Sequence, residues 1–445
     1  MRVNTILAQS LTSLLTCTTS ILLPYCDISR TSAESNNDYP VSNYAQTVEP
    51  ETFELETEPP QKSKLILTAS AEFNGTALNP YLFTDNYLPH WSTSAGTKAN
   101  YEISNGTLKL RVTKDQLPWD PVYDGSTRVS SIQTYQKDYL HKWTGYPDIA
   151  QHTEAFRGHL QKYGYFELRA KAANGGGVHS AWWMTGANQD LPEGNNGKSR
   201  QNGEIDIFEI LGRHNASTAQ SAIHPWGDWL HLFPWTSKIS TGTDLSADFH
   251  TYGFEWKPTG IKVFIDGELK YSSSMSPAYP MLTYLGVYEK RENNSWTGPF
   301  DPNIAYPKEF EIDYFRAYQF VPETLPYQIA TMDGIMRGET RVDSNSTRWI
   351  GGTSNDVTLN NVYAPVAGTY NIKVEYRSGE HRDLYMFINN EKTEHFTKLS
   401  TGSFSGAFKT VEARVNLQQG WNTLTLSNPL APAPDLRNIT ISEAS

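Results

Sequence analysis

The sequence predicts an all-β protein built as two consecutive β-sandwiches, the second smaller than the first. Three observations predict it. Runs that alternate polar and apolar residues recur from Leu65 almost to the C-terminus, which is the period of a half-buried strand. Turn signals such as Asp266-Gly267 separate them. A proline-containing joint, Val321-Pro-Glu-Thr-Leu-Pro326, marks a shift in composition between a tryptophan-rich part and a part with two tryptophans. A chain of 445 residues holds two such domains plus ends. The boundaries expected are a leader over 1–33, an acidic linker over 34–64, a first sandwich over 65–320 and a second over 325–445.

The leader has Arg2 followed by a stretch from Val3 to Leu23 without a charge, and Thr31-Ser32-Ala33 supplies small residues for cleavage. This reads as an export signal, hence a secreted protein. An uncleaved anchor, or a lipid on Cys17 or Cys26, is the alternative; these are the two cysteines of the chain, so a mature protein cut near Ala33 has none and rests on a large core rather than on disulfides. The linker, with Glu49-Pro-Glu-Thr-Phe-Glu-Leu-Glu-Thr-Glu-Pro-Pro60, has too little apolar surface to fold by itself.

In the first sandwich, Tyr163-Gly-Tyr-Phe-Glu-Leu-Arg-Ala-Lys171 is a cleanly alternating strand, followed by Gly175-Gly-Gly-Val-His179-Ser-Ala-Trp182-Trp183-Met184. Next comes Glu204-Ile-Asp206-Ile-Phe-Glu209. Glu204 and Asp206 share a face by simple alternation, but Glu209 joins them only if one extra residue, a bulge at Ile207-Phe208, resets the register. Three acids on one wall repel each other, and a pair consisting of a carboxylate nucleophile and a protonated carboxylic acid is what cleavage of a glycosidic bond requires. The plain alternative is a set of solvated acids on an exposed strand. Asp248-Phe-His-Thr-Tyr-Gly-Phe-Glu-Trp256, the hairpin around Asp266-Gly267, and Phe310-Glu-Ile-Asp313-Tyr-Phe-Arg-Ala-Tyr318 complete the domain.

Taken together, and in this order, these segments resemble glycoside hydrolase family 16, the jelly-roll β-glycanases, over roughly Leu65 to Phe320. The resemblance implies Glu204 as nucleophile, Glu209 as general acid/base and Asp206 as the residue that hydrogen-bonds the nucleophile. Coupled like charges push such pKa values apart, as the two roles require. Carboxylates on neighbouring same-face positions suit the short separation of retaining enzymes, so an endo-acting retaining hydrolase of a β-linked poly- or oligosaccharide is expected. A transglycosylase on the same carboxylates and a catalytically silent glycan binder are the alternatives. Trp183 matches a cleft tryptophan of the family; Trp226 and Trp229, in a Pro/Gly-containing segment, are candidate sugar platforms, and His224 a candidate hydrogen-bond partner of a hydroxyl. Where members acting on β-1,3-glucans carry Trp-Pro, this chain has His179-Ser180. That departure leaves galactose-containing glycans open. No organic cofactor is implied; a structural calcium with Asp313 as a ligand is the one metal the resemblance suggests.

The second sandwich shows alternation in Val357–Asn360, Gly368–Tyr376, Leu384–Asn389, Val411–Leu417 and Trp421–Leu426. With Ala364-Pro-Val-Ala-Gly-Thr-Tyr370 and Gln419-Gly-Trp-Asn-Thr-Leu424 it resembles carbohydrate-binding modules of families 6 and 35, a spacer without sugar affinity being the alternative. The formal charge of −11 is spread without a basic run, which argues against a nucleic-acid groove. No membrane partner is expected once the leader is removed.

Overall fold

The computed structural model describes residues 57–136, 151, 153–187, 201–214, 216–229, 231–292, 296–322, 324–343 and 345–444. The leader, both cysteines, most of the linker and Trp143 lie outside them. No described helix is long and apolar enough to cross a membrane.

The protein is all-β. Among the described residues the first sandwich pairs an eight-stranded antiparallel sheet with a six-stranded one. The six-stranded sheet runs, strand beside strand, through Trp235–Ser240, Thr218–His224, Glu204–Leu211, Val178–Gly186, Met281–Glu289 and Arg128–Gln133. Alternation explains the layering. Ile205, Ile207, Ile210, Trp182, Met184 and Ile223 point inward and are essentially unexposed, meeting Phe166, Phe254 and Phe315 of the other sheet. Each such side chain removed from water contributes roughly 1.5–3 kcal/mol before entropy is counted. The intervening residues face outward and form the wall of a cleft.

The bulge expected at Ile207-Phe208 is present. Asp206 pairs with Trp183 and Glu209 with Ala181, while Phe208 alone faces Trp182, so Ile207 is the additional residue. The other neighbour shows the same slip, Ala222 facing Asp206 and Gln220 facing Glu209. Packing keeps it there. Ile207 and Phe208 both bury completely, and the Phe208 ring lies 4.3 Å from that of Tyr252 and 6.1 Å from that of Trp182. Two consecutive apolar side chains enter the core, and the next acid is returned to the cleft side.

The hairpin between Gly260–Ile265 and Glu268–Ser273 turns at Asp266 and Gly267, both with positive φ (52° and 83°), as an Asp-Gly turn of this kind requires. The last strand of the first sandwich ends at Phe320, and the first of the second begins at Tyr327. The second sandwich packs a six-stranded sheet on a five-stranded one around Ile372, Val374, Leu384, Leu424 and Ile439. Strands Glu391–Leu399 and Asp435–Glu443, not among the alternating runs singled out above, complete it. The two sandwiches touch: Lys162 pairs with Asp333, and Arg157 donates to the carbonyl of Met336.

Candidate active site

The strand Glu204–Leu211 lies inside the six-stranded sheet, so each of its outward side chains has a cross-strand neighbour on both sides. Glu204, Asp206 and Glu209 face the cleft. Opposite them on the strand Thr218–His224 stand His224, Ala222 and Gln220, in register. His224 Nε2 is 3.1 Å from Asp206 Oδ2 and 3.9 Å from Glu204 Oε1. Gln220 Nε2 donates to Glu209 Oε2 at 3.2 Å, and Trp226 Nε1 donates to Glu204 Oε2, also at 3.2 Å.

These contacts set the charges. Burial, then the neighbouring Asp206 carboxylate, raises the Glu204 pKa to about 8, against the lowering pull of His224 and of the Trp226 hydrogen bond. Burial and the same aspartate raise Glu209 well above the ordinary carboxylate range, with Glu204 adding to it. His224 moves the other way from most buried histidines: burial alone would lower it, but the hydrogen bond and charge of Asp206, then Glu204 and Glu209, raise it to about 9. At neutral pH the site therefore holds an imidazolium beside Asp206 and Glu204. Of the two glutamates, Glu204 has the cation at 3.9 Å and an indole donor, so it ionises before Glu209, which keeps its proton to higher pH.

Trp226 is held for its contact. It sits at φ 47° in the loop after His224, where a non-glycine residue is strained. Gly227 N donates to Asn202 Oδ1 at 3.1 Å, and the fully buried Asp228 accepts from Tyr279 Oη at 2.8 Å and bonds His231 Nδ1 at 2.7 Å. Tyr279 Oη in turn accepts from Gly203 N, the residue before Glu204, at 3.0 Å. A buried polar network thus ties the indole-bearing loop to the start of the acidic strand.

The other expected site residues separate. Trp183 pairs with Asp206 across the sheet but is 8% exposed; its ring stacks on Tyr284 at 3.9 Å and its Nε1 donates to Tyr288 Oη at 2.9 Å. It forms the floor of the cleft, leaving little free ring face for a sugar. Trp229, 47% exposed, and Trp226, 44% exposed, keep accessible rings. His179 lies opposite Leu211, beyond Glu209, stacked on Tyr288 (4.6 Å) and edge-on to Trp296 (4.5 Å). Burial, then Lys290, lowers its pKa to about 3, so it stays neutral.

Asp313 is on the other sheet, and its carboxylate is engaged by Arg169. That ion pair is partly exposed, and a calcium at Asp313 would share the carboxylate with it. Among the described residues the one group of three candidate ligands within 4.8 Å of one another is Glu204, Asp206 and His224.

Sequence reasoning missed Gln220, Tyr284, Tyr288 and the Asp228–Tyr279 network. Gln220 was legible, being four residues before His224 on an alternating strand. Tyr284 and Tyr288 were hidden in the apolar run Met281–Tyr288, where periodicity gives no face.

Comparison with known proteins identifies the family. Residues 90–315 match the family model for glycosyl hydrolases family 16. The chain belongs to glycoside hydrolase family 16. Within this family, it is 30% identical over 180 residues to a beta-glucanase of Acetivibrio thermocellus, covering 38% of this chain and 47% of that one. It is 26% identical over 285 residues to glucan endo-1,3-beta-glucosidase A1 of Niallia circulans, covering 56% and 37%. The family 16 chain thus spans about half the length of the curated relatives it matches. Among solved structures it is similar to a GlcNAcα1-4Gal-releasing endo-β-galactosidase from Clostridium perfringens, at 34% identity and a TM-score of 0.53, covering 65% of this chain and 72% of that one.

Proposed function

We propose that this family 16 protein is a secreted, endo-acting, retaining glycoside hydrolase of β-linked glycans. The observation that carries the reading is three acids placed on one cleft wall by a packed bulge, two of them with raised pKa values and an imidazolium beside the third. Glu204 attacks the anomeric carbon as a carboxylate while Glu209 gives its proton to the departing glycosidic oxygen. Water then enters, Glu209 takes back a proton, and Glu204 leaves as the carboxylate, with net retention. Asp206, held by His224, sits between the two and raises both. Trp226 and Trp229 offer ring faces to the apolar C–H faces of sugars entering the cleft.

For the sugar, we favour a β-galactosidic linkage over β-1,3- or β-1,4-glucan. His179, stacked on Tyr288 and edge-on to Trp296, stands where β-1,3-glucan-acting members carry tryptophan. The likeness to an endo-β-galactosidase also extends over 65% of the chain. The second sandwich is proposed as a carbohydrate-binding module, and residues 1–33 as the export signal. A depolymerisation screen against laminarin, lichenan, agar, carrageenan, keratan-type and mucin-type glycans, with Glu204→Gln as control, tests the reading. Chain scission of a galactose-containing polymer, abolished in the variant, is the expected result. Scission confined to laminarin or lichenan would replace galactan by glucan, and binding without scission of any polymer would defeat the hydrolase.

A further inference from the structure

Between the two sandwiches lies a cavity of about 380 Å³, separate from the acidic cleft. Its size falls within the range of small-molecule sites. One wall comes from the first sandwich, including Leu67, Leu160, Lys162 and Gln319, and the other from the second, including Asn360, Asn361, Trp421 and Thr423.

Three features distinguish it from a packing gap. The strand Asp356–Ala364 slips register against Gly420–Ser427 between Leu359 and Val362, so Asn360 and Asn361 are looped out of the ladder and border the cavity. A bulge of this kind re-aims side chains, and here the two it re-aims are both amides. The Trp421 side chain, on the facing strand, also borders the cavity. The lining is also electrically balanced, because its cation Lys162 is already paired with its acid Asp333. Leu67, Leu160 and Ile335 supply an apolar side.

We propose that this cavity is a binding site for a neutral sugar, one or two pyranose units in size. Amides offer a donor and an acceptor side by side, which suits vicinal hydroxyls. The Trp421 side chain and the aliphatic side accept the C–H face of a ring. A charged ligand would have to displace the Lys162–Asp333 pair, so uronic acids, sulfated sugars and nucleotides are poor fits. The site stands on its own residues and does not depend on the hydrolase reading.

The test is isothermal titration of the full chain carrying Glu204→Gln with lactose, N-acetyllactosamine, cellobiose and laminaribiose. Three backgrounds are compared: no further change, the double change Asn360→Ala with Asn361→Ala, and Trp229→Ala in the cleft. We expect at least one disaccharide whose affinity falls about tenfold or more with the asparagine changes and is unmoved by Trp229→Ala. Trp421→Ala, which removes the indole from the lining, should weaken the same disaccharide. Circular dichroism and melting of each variant separate lost binding from lost fold. Binding that disappears with Trp229→Ala and ignores the asparagines would overturn the site, as would the absence of any isotherm at millimolar sugar. Failure of the hydrolase reading would show separately, in the polymer screen.

Discussion

His224→Gln removes a charge from the acidic wall while keeping a side chain able to donate toward Asp206. In the intact protein the imidazole is raised to about 9, so it is a cation throughout the neutral range and is lost only as pH climbs past that value. It stands 3.9 Å from Glu204. Two unit charges at that distance interact by about 4 kcal/mol at an effective dielectric constant of 20, equivalent to about three pKa units. The His224 side chain is 38% exposed, and solvent screening reduces this to about one to two units. The sign is fixed: His224 lowers both Glu204 and Glu209, so removing its charge raises both. The dependence of kcat/KM on pH, measured by reducing-sugar release from the best polymer, should be bell-shaped and should move bodily to higher pH in the variant. At pH 7 the rate should drop about 10- to 100-fold and recover in part at higher pH. A profile that stays in place, or moves toward acid, would refute the argument that an imidazolium eases ionisation of the nucleophile.

Other outcomes follow from the same geometry. Glu204→Gln should lower kcat by about four orders of magnitude with an unchanged circular dichroism spectrum and retained binding of oligosaccharide, and near-normal turnover would remove Glu204 from the nucleophile role. Glu209 has a folded pKa raised above its unfolded value, so the folded chain binds more protons above pH ~4.5 and stability falls as pH rises through that window. Melting curves of Glu209→Gln should accordingly show a flatter pH dependence and a higher Tm near pH 8 than the parent. Tyr279→Phe leaves buried Asp228 and Gly203 N each short of a partner and should cost about 1–3 kcal/mol in urea unfolding, while also reducing kcat through the loosened Trp226 loop. Trp226→Phe should reduce kcat without that stability loss, because the exposed ring is kept and only the donor to Glu204 goes.

The sequence was most legible where local periodicity and side-chain chemistry coincide. The strand Glu204–Leu211 could be read down to its bulge, because a strand has one period and the third acid fits only if a residue is added. The hairpin at Asp266-Gly267 and the alternating strands of the second sandwich were legible for the same reason. Legibility ended where a residue's role depends on what faces it. Trp183 carries a large ring in a strand next to the acids, yet Tyr284, about a hundred residues away, covers it. The pairing of Asp313 with Arg169 of a neighbouring strand shows only in the fold. His224 read as a partner for a sugar hydroxyl, and the fold sets it against Asp206, whose hydrogen bond and charge raise its pKa.

By itself the sequence determined that this is a tandem β-sandwich protein with three acids on one strand face, since alternation, turn residues and a bulge are all encoded over a few consecutive positions. Only the tertiary structure decided which acid ionises first, which aromatic rings stay exposed, and that a cavity lies between the sandwiches. Those properties arise from burial and from distances of 3–4 Å between residues far apart in the chain, and electrostatic and hydrogen-bond energies depend steeply on both.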